Sequence, residues 1–142
     1  MDSVICYQLE PEKIIDALKR FRRALCPQGI LILENWNMLA QWRIFGKTRS
    51  YEYTSKKRKI QWQERDWYDT FASIYHIEVK GTVFKKGRHH KFQYEEVLRA
   101  MTAGEILMYL KEAGFTQWGS YPDFDLSKTG LNSDVMIFLA IP

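Results

Sequence analysis

The 142-residue sequence contains only two cysteines and three histidines, the residues that form disulfides in small secreted proteins and that bind metals. Its two cysteines, Cys6 and Cys26, have no C-x-x-C spacing and no histidine close by, so neither a disulfide framework nor a zinc site is indicated. We predict that both are reduced core residues. Of the three histidines, His89 and His90 are adjacent and would point to opposite faces of a strand. We therefore expect no metal site.

Long apolar runs are also absent. No stretch approaches the about 20 consecutive apolar residues of a transmembrane helix, and the N-terminus shows no signal-peptide hydrophobic region. These absences predict a cytoplasmic protein without a membrane partner. At 46% hydrophobic residues, the chain has ample material for a packed core.

The sequence has no glycine-rich loop of the kind that binds a nucleotide. The eight glycines are scattered, and none forms the succession of strand, G-x-G loop and helix that seats a nucleotide. Basic residues are clustered instead, at 56–59 and 85–91, although the net charge is only +4. Lys and Arg can neutralise phosphates, but no RNA or DNA motif is present. We favour solvated hairpin tips for both runs and place nucleic-acid binding last.

The N-terminal part has the pattern of a βαβ unit. Ser3–Gln8 is predicted to be a buried strand, Pro11 lies in the first turn of a helix, and Pro27–Gly29 turns the chain into a second apolar strand, Ile30–Leu33. Two strands joined by one helix are expected to be parallel neighbours. The helix presents one apolar face, formed by Ile14, Leu18, Phe21 and Leu25.

The middle of the chain changes to a two-residue period. From about Gly46 to Thr102 we predict two or three antiparallel strands, with a turn at Lys85–Gly87. Thr102 and Glu105 then have capping-box spacing at the start of a helix, and Gly114 suits its left-handed end. Two further strands follow, at Phe115–Tyr121 and Val135–Ile141.

Three phrases of the sequence resemble the C-terminal half of class I S-adenosylmethionine-dependent methyltransferases. Asp2–Cys6 resembles the family's D-x-V strand, and Phe21–Leu33 (FRRALCPQGILIL) resembles its helix, P-G-G turn and strand, with Gln28 in place of one glycine. The third phrase comprises Arg99–Thr102 with Glu105, followed by Leu110–Phe115. The resemblance implies one truncated α/β domain over 1–142, with a partial Rossmann-like sheet and an antiparallel β insertion at about 47–101.

The family's glycine-rich loop and its ribose-binding acidic residue lie upstream of the matched phrases. The resemblance therefore implies S-adenosylmethionine as cofactor only if an N-terminal half is supplied. Ligands of such sheets bind beyond the carboxyl ends of the strands, which selects two groups of residues. By the resemblance, Cys6, Tyr7 and Gln8 would flank the reactive methyl, while Asn35 and Trp36 would face the acceptor.

Glu34 is our candidate catalytic residue, because a carboxylate can orient or deprotonate an amine or hydroxyl. The alternative is that Glu34 and Asn35 only cap a short helix at Trp36–Trp42. Arg99 could bind a carboxylate or phosphate of the acceptor, or form a salt bridge with Glu95 or Glu96.

Four aromatic residues of the insertion could line an acceptor pocket, or could serve packing or a dimer face. They are Trp62, Trp67, Tyr75 and Tyr94. Of these we name Tyr75, together with Arg99, as a substrate-binding residue.

Two functions remain open from sequence. One is the acceptor-binding half of a small-molecule methyltransferase; the other is a non-catalytic, methyltransferase-derived interaction module. In either case the predicted Ser3–Gln8 strand would lie at a sheet edge, and exposed edges recruit partners. We therefore expect a homo-oligomer, or a partner chain that covers this edge.

Overall fold

The computed structural model describes residues 4–38, 40, 45–124 and 133–142. The chain forms two compact units, one from 1–43 with 98–142 and the other from 44–97. In the described ranges, no helix is both long and apolar enough to cross a membrane. The elements in chain order are the 3-10 helix η1 (Val4–Tyr7), α1 (Pro11–Ala24), β1 (Leu31–Trp36), β2 (Thr48–Thr54), β3 (Lys59–Asp69), β4 (Ile74–Lys85), β5 (Arg88–Arg99), α2 (Ala103–Glu112), β6 (Gln117–Tyr121) and β7 (Val135–Ile141).

The first unit is built on a three-stranded sheet in the order β1-β7-β6. Both pairings are antiparallel, and Phe138 of β7 lies opposite Leu33 on one side and Ser120 on the other. The apolar run of β7 therefore occupies the sheet centre, where both faces are covered. Phe138 is fully buried, as are Leu18 of α1 and Leu110 of α2.

The prediction that Ser3–Gln8 and Ile30–Leu33 form a parallel pair of strands is wrong. Val4–Tyr7 forms a 3-10 helix, and β1 pairs with β7 rather than with this segment. The segment lies only three residues before α1. A local turn bond from Gln8 N to the Ile5 carbonyl, at 3.1 Å, satisfies the backbone instead while Ile5 and Cys6 stay buried.

Both predicted helices form where their end signals stand. α1 begins at Pro11 and buries Ile14 and Leu18, although Phe21, on the expected apolar face, is 45% exposed. In α2 the Thr102 hydroxyl accepts from the Glu105 N–H at 3.2 Å, and the Thr102 N–H donates to the Glu105 carboxylate at 2.8 Å. This reciprocal capping box was predicted, and so was the left-handed Gly114, whose φ is +89°.

The second unit contains an antiparallel sheet in the order β2-β3-β4-β5. It has four strands where the sequence predicted two or three. The β4–β5 turn places Lys86 and Gly87 at φ values of 49° and 72°, the geometry of a two-residue hairpin that matches strand twist. Burial alternates from Tyr75 through Val79 as predicted, so over this stretch of β4 one side of the strand is covered and the other is polar.

Candidate functional site

The residues predicted at the end of the second strand lie within β1. Asn35 is fully buried; its Oδ1 accepts from Cys6 Sγ at 2.8 Å, and its Nδ2 donates to the Trp36 carbonyl at 3.0 Å. The structure thus brings Cys6 and Asn35 together across 29 positions of sequence. β1 continues through Trp36, so the expected helix does not begin at that residue. The rest of the expected Trp36–Trp42 helix falls partly on residues 39 and 41–42, outside the described residues.

The other predicted residues of this region are more accessible. Tyr7 is 50% exposed and Gln8 is exposed. Glu34 is half-buried and borders a groove that also contains Val4 and Ile32. The roles assigned to these side chains remain predictions.

Arg99 takes a structural partner that sequence reasoning did not name. Its Nη1 donates to the Leu9 carbonyl at 3.1 Å, and its Nη2 lies 3.8 Å from the Glu105 carboxylate. The expected salt bridge to Glu95 or Glu96 is therefore replaced by one to Glu105. The cysteine prediction was also half wrong, since Cys6 is buried but Cys26 is exposed, and both are free thiols.

The insertion sheet presents a second group of polar and aromatic side chains on one face. Trp62 lies opposite both Tyr51 and Gly81, and Glu64 lies opposite Val79, so these positions share a face. The Phe92 ring covers Gly81, and the rings of Phe92 and Tyr94 lie 6.3 Å apart on the same strand face. We call this surface the aromatic–carboxylate face, formed by Tyr51, Trp62, Glu64, Phe92, Tyr94 and Glu96.

Arg49 organises the carboxylates of this face. Its Nη2 donates to Glu64 at 3.1 Å, its Nη1 lies 2.5 Å from Asp66, and its Nε donates to the Tyr51 hydroxyl at 2.8 Å. Burial lowers the pKa of Arg49, but the hydrogen bonds to Glu64 and Asp66 outweigh burial and raise that pKa above its ordinary value. The guanidinium therefore stays charged and pairs with both Glu64 and Asp66.

Glu64 is held from a second side by an aromatic donor. The Trp62 Nε1–H donates to Glu64 Oε1 at 2.9 Å, and the Trp62 ring stacks on Tyr51 with centroids 5.2 Å apart. The pKa of Tyr94 is raised, first by burial and then by the charges of Glu96 and Glu64. The negative charges of Glu64 and Glu96 therefore oppose ionisation of the Tyr94 phenol. Tyr94 is 48% exposed.

Tyr75, which was predicted to bind the acceptor, is buried in the insertion unit. It is 3% exposed, and burial, followed by a hydrogen bond to the fully buried Asp66, raises the pKa of its phenol well above the ordinary value. The Arg49, Asp66 and Tyr75 side chains form a buried polar cluster in the insertion unit. Its effect is to fix Arg49, and through Arg49 the orientation of Glu64.

The four aromatic residues singled out from sequence do not form one group. Trp67 lies on the opposite face from Trp62, where it stacks on His76 with centroids 4.8 Å apart. The His76 Nδ1 lies 2.7 Å from the Glu95 carboxylate on the same polar face. Within the described ranges no group of three or more His, Cys, Asp or Glu side chains could hold a metal ion.

Arg49, Glu64, Asp66 and Glu96 were missed from sequence. A signal was available, because Glu64 and Asp66 alternate with the same period as Trp62 and Tyr68. Charged residues at the strand positions that alternate with the polar, solvent-facing ones are costly to bury. Their presence there therefore indicates a polar cluster or a binding site.

A three-stranded antiparallel sheet with two helices, interrupted by a four-stranded antiparallel insertion, defines the class of the fold as mixed α/β. No protein-family model and no curated protein matches the sequence.

Solved structures support this class. DesVI from Streptomyces venezuelae aligns with a TM-score of 0.81 at 17% identity, over 100% of this chain and 56% of its own. The amino pentose methyltransferase of calicheamicin biosynthesis from Micromonospora echinaspora, solved with bound S-adenosylmethionine, has a TM-score of 0.75 at 15% identity, over 99% and 55%. The sugar N-methyltransferase from Streptoalloteichus has a TM-score of 0.78 at 14% identity, over 99% and 53%.

The resemblance seen in the sequence is thereby confirmed at the level of fold. The chain spans about half the length of these solved methyltransferases.

The positions of the glycines indicate whether the described residues contain a loop that could bind S-adenosylmethionine. Gly87 and Gly114, both at positive φ, lie at a hairpin turn and after a helix end, while Gly81 is approached closely by Phe92 rather than opening onto a cavity. None of the glycines in the described residues lies in a loop between a strand and a following helix, where a nucleotide is seated. The residues present therefore do not fit S-adenosylmethionine by themselves.

Proposed function

We propose that this chain is the acceptor-binding part of an S-adenosylmethionine-dependent methyltransferase that acts on a small-molecule amine. The observation that carries the proposal is the aromatic–carboxylate face, seen together with the fold. Two of the solved neighbours are described as an amino pentose methyltransferase and a sugar N-methyltransferase. Those descriptions support an amine acceptor for this chain without assigning one.

The chemistry of the face suits a cationic amine. Glu64 and Glu96 attract an ammonium group, while the rings of Trp62, Tyr94 and Tyr51 offer the faces that a cation prefers. Tyr51 and Tyr94 are 39% and 48% exposed, so a ligand can reach them. A hydroxyl acceptor carries no charge and gains only hydrogen bonds from the same surface.

Attack by an amine requires its neutral form, so a proton has to leave before or as the new bond forms. A carboxylate within hydrogen-bond reach can take that proton, and Glu64 is held for this by Trp62 and Arg49. S-adenosylmethionine, when bound, supplies the methyl group. The part assigned to this chain is to bind, orient and deprotonate the acceptor.

A titration with D-glucosamine, followed by the NMR signal of the Trp62 indole N–H, tests the proposal. D-glucose, which differs by one hydroxyl in place of the amine, is the matched control ligand. We expect glucosamine to shift the signal and glucose to leave it unchanged. Replacing Glu64 with Gln should weaken glucosamine binding by about fivefold or more, because one carboxylate of a charge-assisted contact is lost.

Glu78→Gln on the polar face is the matched control variant, since Glu78 lies on the same sheet but points away from Trp62. It should bind glucosamine like the wild type. Equal responses to both sugars, or equal losses in both variants, would remove the amine acceptor from the proposal.

The second function, a methyltransferase-derived interaction module, is favoured by a different observation. Large apolar side chains of the first unit are exposed, among them Ile32 at 61% and Val4 at 57%. Such a surface suits a protein partner.

A further inference from the structure

The two basic runs of the insertion, 56–59 and 85–91, lie at the same end of its sheet. In the antiparallel order β2-β3-β4-β5, the β2–β3 turn and the β4–β5 turn share one end, and the β3–β4 turn lies at the other. Lys59 pairs with Phe84 across β3 and β4, so the two turns are neighbours. Adjacent strands are about 4.8 Å apart, so the four strand ends at this margin span about 15 Å. We call this surface, formed by the two basic runs, the two-turn cluster.

The positive charge of the chain is concentrated at this end of the insertion sheet. The stretches 52–62 and 82–92 contain eight of the 21 Lys and Arg residues and one of the 17 acidic residues, Glu52. The rest of the sequence carries thirteen basic and sixteen acidic residues, so the net charge of +4 arises entirely from these two stretches. The sequence does not show this convergence, because residues 60–84 separate the two runs.

The side chains of the two-turn cluster are accessible. Lys56, Lys57 and Arg58 are exposed, and so is every residue of 85–91. Lys59 pairs with Glu52 at 3.0 Å, and neither run contains an acidic residue. Cations within a Debye length of about 8 Å act together at physiological salt. A ligand that carries several phosphates gains more from such a cluster than a single anion does, because each phosphate it places there releases a counterion.

Flat side chains lie next to these cations. The Tyr53 ring, beside the β2–β3 turn, is 48% exposed, and the Arg58 guanidinium carbon lies 5.7 Å from its centroid. Beside the β4–β5 turn, the rings of Phe84 and His89 lie 4.8 Å apart in an edge-to-face arrangement. Unpaired nucleic-acid bases stack on aromatic rings and on guanidinium planes. The two-turn cluster therefore combines contacts for phosphates with contacts for bases.

We propose that the two-turn cluster binds single-stranded nucleic acid, with the two basic runs on the phosphates and the Tyr53 ring against an unpaired base. This site is separate from the proposed amine site. Glu64 lies five residues from Lys59 along β3, which corresponds to about 16 Å. The inference therefore does not rest on the proposed function.

The two turns favour this ligand over an anionic membrane. Their residues are 55–58 and 86–87, with the sequences SKKR and KG, and none of them has an apolar side chain that could enter a bilayer. Segments that bind membrane surfaces combine basic residues with apolar ones that are buried at the acyl boundary. The aromatic side chains here lie on the strands instead.

Fluorescence anisotropy with a labelled single-stranded RNA of about twelve nucleotides, a length that such surfaces cover, tests the proposal at several salt concentrations. A chain with both Lys57→Gln and Lys85→Gln should bind about tenfold more weakly at low salt. The slope of log affinity against log salt should become shallower by about one, since each lost phosphate contact removes about 0.7.

A chain with both Lys19→Gln and Lys111→Gln is the matched control. Both lysines are exposed on helices, so the control loses the same charge outside the cluster. It should bind the RNA like the wild type, with the same slope.

Tyr53→Leu separates base stacking from phosphate contact. It should weaken RNA binding by about fivefold or more at every salt concentration and leave the slope unchanged, because stacking releases no counterions. Circular dichroism of the variant checks that the sheet is retained. A duplex that contains the same strand should bind more weakly than the single strand, because its bases are already stacked on one another.

Equal losses in the two double variants would overturn the proposal, since they would show attraction by net charge alone. Full affinity in Tyr53→Leu would also overturn it, and tight binding of inorganic polyphosphate or of phosphatidylserine vesicles would then identify a ligand without bases. These measurements use neither S-adenosylmethionine nor glucosamine. Their failure is therefore distinguishable from failure of the proposed function.

Discussion

The ring of Phe92 lies directly over Gly81 on the neighbouring strand. A Cβ atom built on Gly81 would overlap the Phe92 ring and would lie 2.7 Å from the Gln61 carbonyl oxygen. Gly81 is therefore the one position of β4 at which a large side chain from the next strand can cross the sheet surface. Phe92 and Tyr94, two positions apart on β5, lie on the same face of that strand.

Gly81→Ala should destabilise the insertion sheet by about 1–3 kcal/mol, the usual cost of overpacking. Urea unfolding followed by circular dichroism measures the change. Gly104→Ala is the control, since a Cβ there meets only Thr102 Oγ1 at 3.9 Å. In a helix this exchange should be neutral or stabilising, and an equal loss in both variants would show that the Phe92 contact is not the cause.

Thr102→Ala should lower the stability of the first unit by about 1 kcal/mol, because α2 loses an N-cap that satisfies its first backbone donors. Hydrogen exchange of the α2 amides, compared with those of the insertion sheet, locates the effect. Thr54→Ala is a suitable control, since its hydroxyl bonds only to an exposed Glu52. Loss of protection in the insertion sheet alone would contradict the prediction.

The buried phenol of Tyr75 should make the protein sensitive to alkali. Its pKa in the folded state is raised above the ordinary value of 10.0, so above pH 10 the unfolded chain releases this proton first. Stability from this group is complete below pH 10 and falls as pH rises, by about 1.4 kcal/mol per pH unit while the folded phenol stays protonated. Urea unfolding at pH 9, 10 and 11 measures the slope.

Tyr75→Phe removes the titrating group and should flatten that alkaline slope, whatever it does to stability at pH 7. Tyr53→Phe, at an exposed position of β2, should leave the slope unchanged. A slope that is the same in all three proteins would exclude Tyr75 as its source.

The two thiols should react at very different rates. Cys26 is exposed, whereas Cys6 is fully buried and donates to Asn35. Iodoacetamide should therefore alkylate Cys26 in the native protein and reach Cys6 only after unfolding, as peptide mass spectrometry would show. In Cys26→Ser, rapid labelling of Cys6 would mean that the region around η1 opens readily.

Local signals predicted the fold well where they act within one element. The capping box at Thr102, the left-handed Gly114 and the apolar run Val135–Ile141 all lie where expected. Each depends on neighbouring residues and on backbone geometry that the sequence states directly. The resemblance to methyltransferases likewise came from short phrases in a fixed order.

The predictions that failed are those that depend on which elements and side chains are neighbours in the folded protein. Ser3–Gln8 has the composition of a strand, but a strand also needs a neighbour, and Val4–Tyr7 forms a 3-10 helix instead. Whether Cys26 is buried depends on how the turn after α1 packs, which its apolar sequence neighbours do not reveal. The Arg49 cluster joins three strands, so only the alternation around Glu64 hinted at it.

The position of β7 has a consequence during synthesis. This strand lies between β1 and β6, yet it is made after both of them. Translation proceeds at about 5–20 residues per second, so β1 and β6 wait for seconds before their central strand β7 is made. The strands of the insertion sheet are all made by then and can already pair with one another. On the ribosome the insertion should therefore fold first, and the unpaired edges of β1 and β6 are the surfaces that a chaperone would meet.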